Sequence, residues 1–183
     1  MTHASDLKPY DMNELAKCIE AARGGFDRLY LHWTAGRYGE IYDDYHISID
    51  GDGRIFLPDD NLLIKRNHTW KRNSGAIGIA LCACCGAHAN NGYDADFGEY
   101  PVTHAQIEAI SYIVALFAKY GGIPVECALT HCEAAYLDGY GPGSGDPETR
   151  WDLWYLPDYD GVMKGGGDVI RGKARWYLQQ NVA

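Results

Sequence analysis

Leu29-Tyr30-Leu31-His32-Trp33-Thr34-Ala35-Gly36 is the stretch from which the fold is read. An apolar run ends in a histidine and then in a Thr-Ala-Gly turn. A short apolar run bounded by a turn signal predicts a buried strand, here a central one. Such strands belong to parallel or mixed sheets covered by helices. His131 closes a second, shorter apolar run, Ala128-Leu129-Thr130, and Asp152 follows in Arg150-Trp151-Asp152. Two imidazoles and one carboxylate, carried by strand ends and a following loop, make a three-ligand zinc site with one position left for water. Open sites of this kind belong to hydrolases.

Working outward, strands are predicted over Asp27–Trp33, Ala76–Ala83 and Val125–Thr130. Two more, Tyr45–Ile49 and Arg54–Leu57, flank Asp50-Gly51-Asp52-Gly53, a hairpin signal. Asp11 with Glu14, and Thr103 with Gln106, read as capping boxes. They open helices that run to about Arg23 and about Tyr120, each stopped by a Gly-Gly pair. A short helix is predicted over Lys173–Gln179. Gly86–Pro101 and Leu137–Thr149 read as loops. Strands alternating with helices predict an α/β fold: a single domain over residues 1–183 with a central mixed β-sheet flanked by helices.

The bulk properties narrow the function. The 183 residues are 46% apolar and 13% aromatic, enough for one packed core. The formal charge of −9 argues against nucleic acid as a partner, since that binding needs basic patches. No apolar run reaches the about 18 residues of a membrane span, so no membrane is expected either. Met1–Lys17 lacks the basic start and apolar run of a secretory signal. Synthesis in a reducing cytoplasm is therefore expected. The six cysteines, among them the cluster Cys82, Cys84 and Cys85, are expected to be free thiols. No Cys-x-x-Cys pair is present to suggest a thiolate metal knuckle.

Six motifs occur in a fixed order: His32-x-Thr34-Ala35-Gly36, Tyr45-His46 before the hairpin, His68, Ala76-Ile77-Gly78-Ile79-Ala80-Leu81, Thr130-His131, and Arg150-x-Asp152. In this the chain resembles the zinc-dependent N-acetylmuramoyl-L-alanine amidases, which include phage lysozyme-type amidases and peptidoglycan recognition proteins. The resemblance covers residues 27–156. It implies cleavage of the amide between the lactyl group of N-acetylmuramic acid and the first L-Ala of the stem peptide. It implies Zn²⁺ held by His32, His131 and Asp152, and a peptidoglycan or muropeptide substrate. Tyr45 matches the tyrosine beside the zinc-bound water, and Arg150 stands where catalytic members carry Lys. His68 would line the substrate groove, and Thr34 is counted with it as substrate-binding. Where some members place a Glu in the Ile-Gly-Ile strand, this chain has Ala80. The segment between His131 and Asp152 is longer than in compact members, which makes Asp146 a rival third ligand. The Arg150-x-Asp152 spacing favours Asp152.

The chemistry agrees with these roles. A cation beside a scissile carbonyl stabilises the oxyanion, and an arginine keeps its charge. A phenol can orient water or relay a proton. Trp70 follows His68 in a polar loop with little to bury it and is the tryptophan assigned to the substrate. His46 alternates away from Tyr45 on the predicted strand, and His88 and His104 read as solvated. The Leu137–Thr149 loop, pinned between two ligands and carrying Tyr140, Asp138, Asp146 and Glu148, is expected to wall the groove. A lytic setting of the phage or prophage endolysin type is favoured, with release to the cell wall by a phage-type route. A muropeptide-recycling amidase and a non-catalytic peptidoglycan-binding module are the alternatives. Retention of Asp152 favours an enzyme over the last.

Overall fold

The computed structural model describes residues 1–90, 94–146, 150–157 and 163–180. Its centre is a five-stranded sheet of β1 (Arg28–Trp33), β2 (Ile47–Ile49), β3 (Ile55–Phe56), β4 (Ala76–Leu81) and β5 (Ala128–Thr130). The order is β3-β2-β4-β1-β5. β2, β4, β1 and β5 are parallel neighbours, and β3 returns antiparallel to β2. The sheet is mixed and the fold α/β, as the alternation of elements predicts.

The two faces of the sheet carry different residues, because side chains alternate along a strand. Leu29, Leu31 and Trp33 of β1 join Ile77, Ile79 and Leu81 of β4 in the main core. That face is covered by α1 (Met12–Ala21), α2 (His104–Leu116) and α4 (Gly166–Gln179), through residues such as Leu15, Ile19, Ile110, Ile170 and Ala174. Each fully buried Leu or Ile contributes about 1.5–3 kcal/mol by leaving water. The other face carries Tyr30 and His32, and their β4 partners are Gly78 and Ala80. Small residues there leave room for a polar site. Among the described residues no helix is long and apolar enough to cross a membrane.

Capping fixes where the helices start. Asp11 with Glu14 and Thr103 with Gln106 form the reciprocal bonds that their spacing predicts. The buried Gln106 also donates from Nε2 to the carbonyls of Ile49 and Cys82, 3.0 Å each. That ties the start of α2 to the ends of β2 and β4. α2 ends in a wider turn, Phe117–Gly121, closed by Gly122 at φ +74°.

The structure departs from the sequence reading in several places. The last strand is shorter, because Pro124 opens a 3₁₀ turn over Val125–Cys127. A third helix, α3 (His131–Asp138), starts immediately after β5 with Thr130 as its cap. The predicted loop over Leu137–Thr149 therefore begins only at Gly139, and its residues 147–149, Glu148 included, lie outside the described residues. The C-terminal helix begins at Gly166 rather than Lys173. Three glycines, Gly165–Gly167, stand at its start. A Cβ on Gly166 would strike the Leu153 carbonyl, so glycine permits a close approach of helix to turn. Finally, the predicted Gly86–Pro101 loop contains a short ribbon, His88–Asn90 against Asp94–Asp96.

All six cysteines are free. Cys82, Cys84 and Cys132 are buried, and burial pushes each thiol up to about 12. A thiol held protonated is a poor nucleophile. At pH 8 a thiol-disulfide reagent should therefore label the native protein at no more than Cys18, Cys85 and Cys127. It should reach all six in denaturant. Rapid native labelling of Cys82, Cys84 or Cys132 would show that the strand ends open readily.

Candidate metal centre

Register brings the two histidines together. In the parallel pair of β1 and β5, Leu31 lies beside Thr130. The next residues, His32 and His131, therefore leave the sheet at the same level. Thr130 turns the chain into α3 by a capping box: its Oγ1 accepts from Glu133 N–H, and Glu133 accepts from Thr130 N–H. His131 becomes the first residue of that helix. The imidazole centroids are 4.6 Å apart and nearly perpendicular.

Asp152 arrives from 21 residues further on. The turn that carries it is anchored on both sides. Trp151 packs edge-on against the buried Trp33 at 4.8 Å. Leu153 is fully buried at φ +58°, a left-handed conformation that costs a branched residue of order 1 kcal/mol or more. The packed side chain holds it there. Asp152 Oδ2 then lies 3.2 Å from His32 Nδ1 and 3.3 Å from His131 Nδ1. The three donors form a His-His-Asp group within 4.8 Å of one another.

These distances fit a metal. Ligands about 2.0–2.1 Å from a tetrahedral zinc stand about 3.3 Å from each other. Nitrogen, nitrogen and carboxylate oxygen are the donor set zinc takes in open sites. Buried His131 Nε2 and the Tyr140 hydroxyl have no hydrogen-bond partner among the described residues, so the wall of this site is not closed by the protein's own bonds. The charge state suits ligation too. Burial drives the His32 pKa down to about 4, so its imidazole is neutral near pH 7. Burial alone would raise the Asp152 pKa, but the charge and hydrogen bonds of His131 and His32 bring it well below the carboxylate range.

Around this centre the other sequence-predicted residues are placed as follows. Tyr45 lies in the turn before β2, half-buried, with its ring 5.1 Å from that of His32. Burial first, and then the charge of Asp152, push its phenol pKa above the ordinary value. A phenol held in its protonated form can donate a hydrogen bond. Arg150 is half-buried and its backbone N–H donates to the Tyr140 carbonyl at 3.4 Å. Burial raises the Tyr140 phenol, and the Arg150 charge opposes that rise. Thr34, at the end of β1, accepts from Gly36 N–H with its own Oγ1 and so shapes the turn. Trp70 is 63% exposed, with the Lys71 ammonium 4.1 Å over its ring and Tyr140 6.0 Å away. Tyr140 in turn is 6.5 Å from His131, so one aromatic line runs from the surface to the centre. Asp146 is exposed and outside the His-His-Asp group.

His68 lies beneath the site, 7% exposed, with its ring 5.5 Å from that of His32. It fits there because residue 78 is glycine: a Cβ at Gly78 would sit 2.5 Å from the His68 ring. His46 is buried beside it and serves the backbone. Its Nδ1 accepts from Gly78 N–H and its Nε2–H donates to the Ile64 carbonyl. His88 and His104 are exposed, as expected. The sequence reading did not single out Thr69, which contacts both His32 and His68. Its only sequence signal was adjacency to His68.

With the geometry in place, comparison with known proteins gives the family. Residues 11–147 match the model of the N-acetylmuramoyl-L-alanine amidases. The chain belongs to this enzyme family. The matched segment includes His32, Tyr45, His68 and His131 and ends before Arg150 and Asp152. Similar solved structures include the endolysin N-acetylmuramoyl-L-alanine amidase LysCS from Clostridium intestinale URNW. It is 18% identical, with 58% of this chain and 69% of that chain covered and a TM-score of 0.40. LysC from the same organism is 20% identical, with 58% and 70% covered and a TM-score of 0.39. AmiD from E. coli, in complex with the substrate anhydro-N-acetylmuramic acid-L-Ala-D-gamma-Glu-L-Lys, is 22% identical with a TM-score of 0.44. The alignment covers 61% of this chain and spans half the length of AmiD. Comparison with curated proteins returns no match.

The packing of His68 gives a test. Gly78→Ala forces that ring to move, and overpacking of this kind costs about 1–3 kcal/mol. The variant should melt measurably below the wild type and bind zinc more weakly. An unchanged melting temperature would mean that His68 does not rest against Gly78.

Proposed function

We propose that this chain is a zinc-dependent N-acetylmuramoyl-L-alanine amidase that acts on peptidoglycan, in a lytic role of the endolysin type. The observation that carries the reading is one carboxylate oxygen of Asp152 at 3.2 and 3.3 Å from two imidazole nitrogens. The family membership names the bond: the amide joining the lactyl group of N-acetylmuramic acid to L-Ala. A centre that keeps all three donors favours cutting over binding alone.

His32 Nδ1, His131 Nδ1 and Asp152 Oδ2 would hold the metal. Zinc in such a site supplies Lewis acidity and makes water acidic enough to attack near neutral pH. The protein's residues do the rest. Tyr45 accepts a hydrogen bond from the attacking water, gives its phenol proton to the L-Ala nitrogen as the C–N bond breaks, and takes up the water's proton in its place. Water thus delivers its oxygen to the lactyl carbonyl carbon and its protons to the two products. Arg150, permanently charged, stands two residues from Asp152 and offers a cation to the oxyanion. The aromatic line of Trp70 and Tyr140 gives sugar rings or stem-peptide methyl groups a surface to lie on.

Digestion of purified peptidoglycan, followed by mass spectrometry, tests the bond. The expected products are glycan strands without peptide and stem peptides with free N-terminal L-Ala. Tyr45→Phe should keep about one zinc per chain and lose about a hundred- to a thousand-fold in rate, the cost of one positioned donor. Asp152→Ala should lose both zinc and activity. Products cut at any other bond, or full zinc and full activity in Asp152→Ala, would overturn the assignment.

A further inference from the structure

The hydroxyl of Thr69 sits between two imidazoles. Its Oγ1 lies 3.3 Å from His32 Nε2 and 3.0 Å from His68 Nδ1. Thr69 is 1% exposed. Its turn is pinned, because the backbone N–H groups of His68 and Thr69 both donate to Asn73 Oδ1, at 3.1 and 2.7 Å. His46, the other imidazole beside His68, has both ring nitrogens committed to backbone groups and stays out of the chain of bonds.

A hydroxyl has one proton to give and lone pairs to accept. Bridging two neutral imidazoles, it has two arrangements. In the first, His32 Nδ1–H donates to Asp152 Oδ2, Thr69 O–H donates to His32 Nε2, and His68 Nδ1–H donates to Thr69 Oγ1. In the second, His32 Nδ1 presents a bare lone pair and its Nε2–H donates to Thr69 Oγ1. Thr69 O–H then donates to His68 Nδ1, and the His68 proton is on Nε2. Both arrangements leave the two imidazoles and the hydroxyl neutral. Going from first to second, the proton released from His32 Nδ1 is matched by one taken up at His68 Nε2. The first satisfies Asp152 without a metal. The second is the one in which His32 Nδ1 can coordinate a cation.

We propose that Thr69 is a positioning residue of the metal centre, relaying the tautomer of His32 to His68, so that metal binding switches His68 from its Nδ1–H to its Nε2–H form. This rests on the zinc reading of His32, His131 and Asp152. Partners that orient a ligating imidazole typically contribute ten- to a hundred-fold in metal affinity. Thr69 does so through a neutral hydroxyl, and the neutral His68 behind it completes the relay.

Zinc competition with a chelator and ¹⁵N spectra of the histidine rings test this on the full chain. Thr69→Val keeps the shape and removes the hydroxyl. It should bind zinc about ten- to a hundred-fold more weakly. Thr69→Ser restores the hydroxyl and should bind close to wild type. In the wild type, the His68 spectrum should change from the Nδ1–H to the Nε2–H pattern as zinc is added. This measurement decides the matter even if Thr69→Val does not fold. A His68 tautomer that is the same with and without zinc overturns the relay, as does Thr69→Val binding as tightly as wild type. Both of those results leave the zinc reading standing. A wild-type protein that binds no zinc overturns that reading and the relay with it.

Discussion

The carboxylate of Asp152, set between two buried imidazoles, is the constraint around which the rest of the molecule is organised. Removing a carboxylate from water is costly unless its charge is met by well-placed donors or a metal. Its Oδ2 has two imidazole nitrogens within 3.3 Å. Those nitrogens are themselves placed by the fold, since His32 is fully buried on a central strand and His131 heads a capped helix. A misplacement of either would leave the carboxylate without its partners. The energetic demand of one buried charge thus sets tight limits on three separate segments of chain.

The sheet meets those limits by register and by asymmetry of its faces. Parallel pairing of β1 with β5 sets His32 and His131 level without any contribution from the site itself. On the core face, Leu31, Ile79 and Ile77 fill space densely and resist movement. On the opposite face the neighbours of His32 are Ala80 and Gly78. Their small size lets a second layer of polar side chains, His68 and Thr69, lie directly on the strands. Loss of packing at glycine in the middle of β4 is the cost of that layer, and the surrounding buried strands offset it.

How much of this was legible in the sequence follows from what each signal depends on. The sheet was legible because Leu29–Trp33 and Ala76–Leu81 are apolar runs whose meaning does not depend on context. The capped helices were legible because Asp11/Glu14 and Thr103/Gln106 act within four residues. Thr130/Glu133 carried the same local signal for α3, but the sequence reading did not use it. The start of α4 was not legible, because glycine at position 166 is explained only by the approach of Leu153. The ligand trio was legible from residue types in order. Thr69 was not, since a threonine beside a histidine has no meaning until β1 is laid next to it.

The C-terminal helix shows how far beyond the ligands the centre extends. Arg171 of α4 donates to both carboxylate oxygens of Glu133, each at 2.7 Å, and to the Ala128 carbonyl of β5 at 2.9 Å. Glu133 is the residue that closes the capping box of α3, so Arg171 braces the helix start that carries His131. One turn earlier, Gly166 packs against the carbonyl of Leu153, directly after Asp152. Its N–H donates to the Trp154 carbonyl at 3.2 Å. α4 therefore grips the helix of the second histidine with one residue and the turn of the aspartate with another. These two ligand segments have no short connection along the chain, and a rigid helix laid across both is what keeps their separation constant. Bidentate arginine–carboxylate pairs are among the more directional bonds available for that purpose. The segment after residue 147, which the family match does not reach, thus supplies one donor of the centre and the brace that holds the His131 helix in step with it.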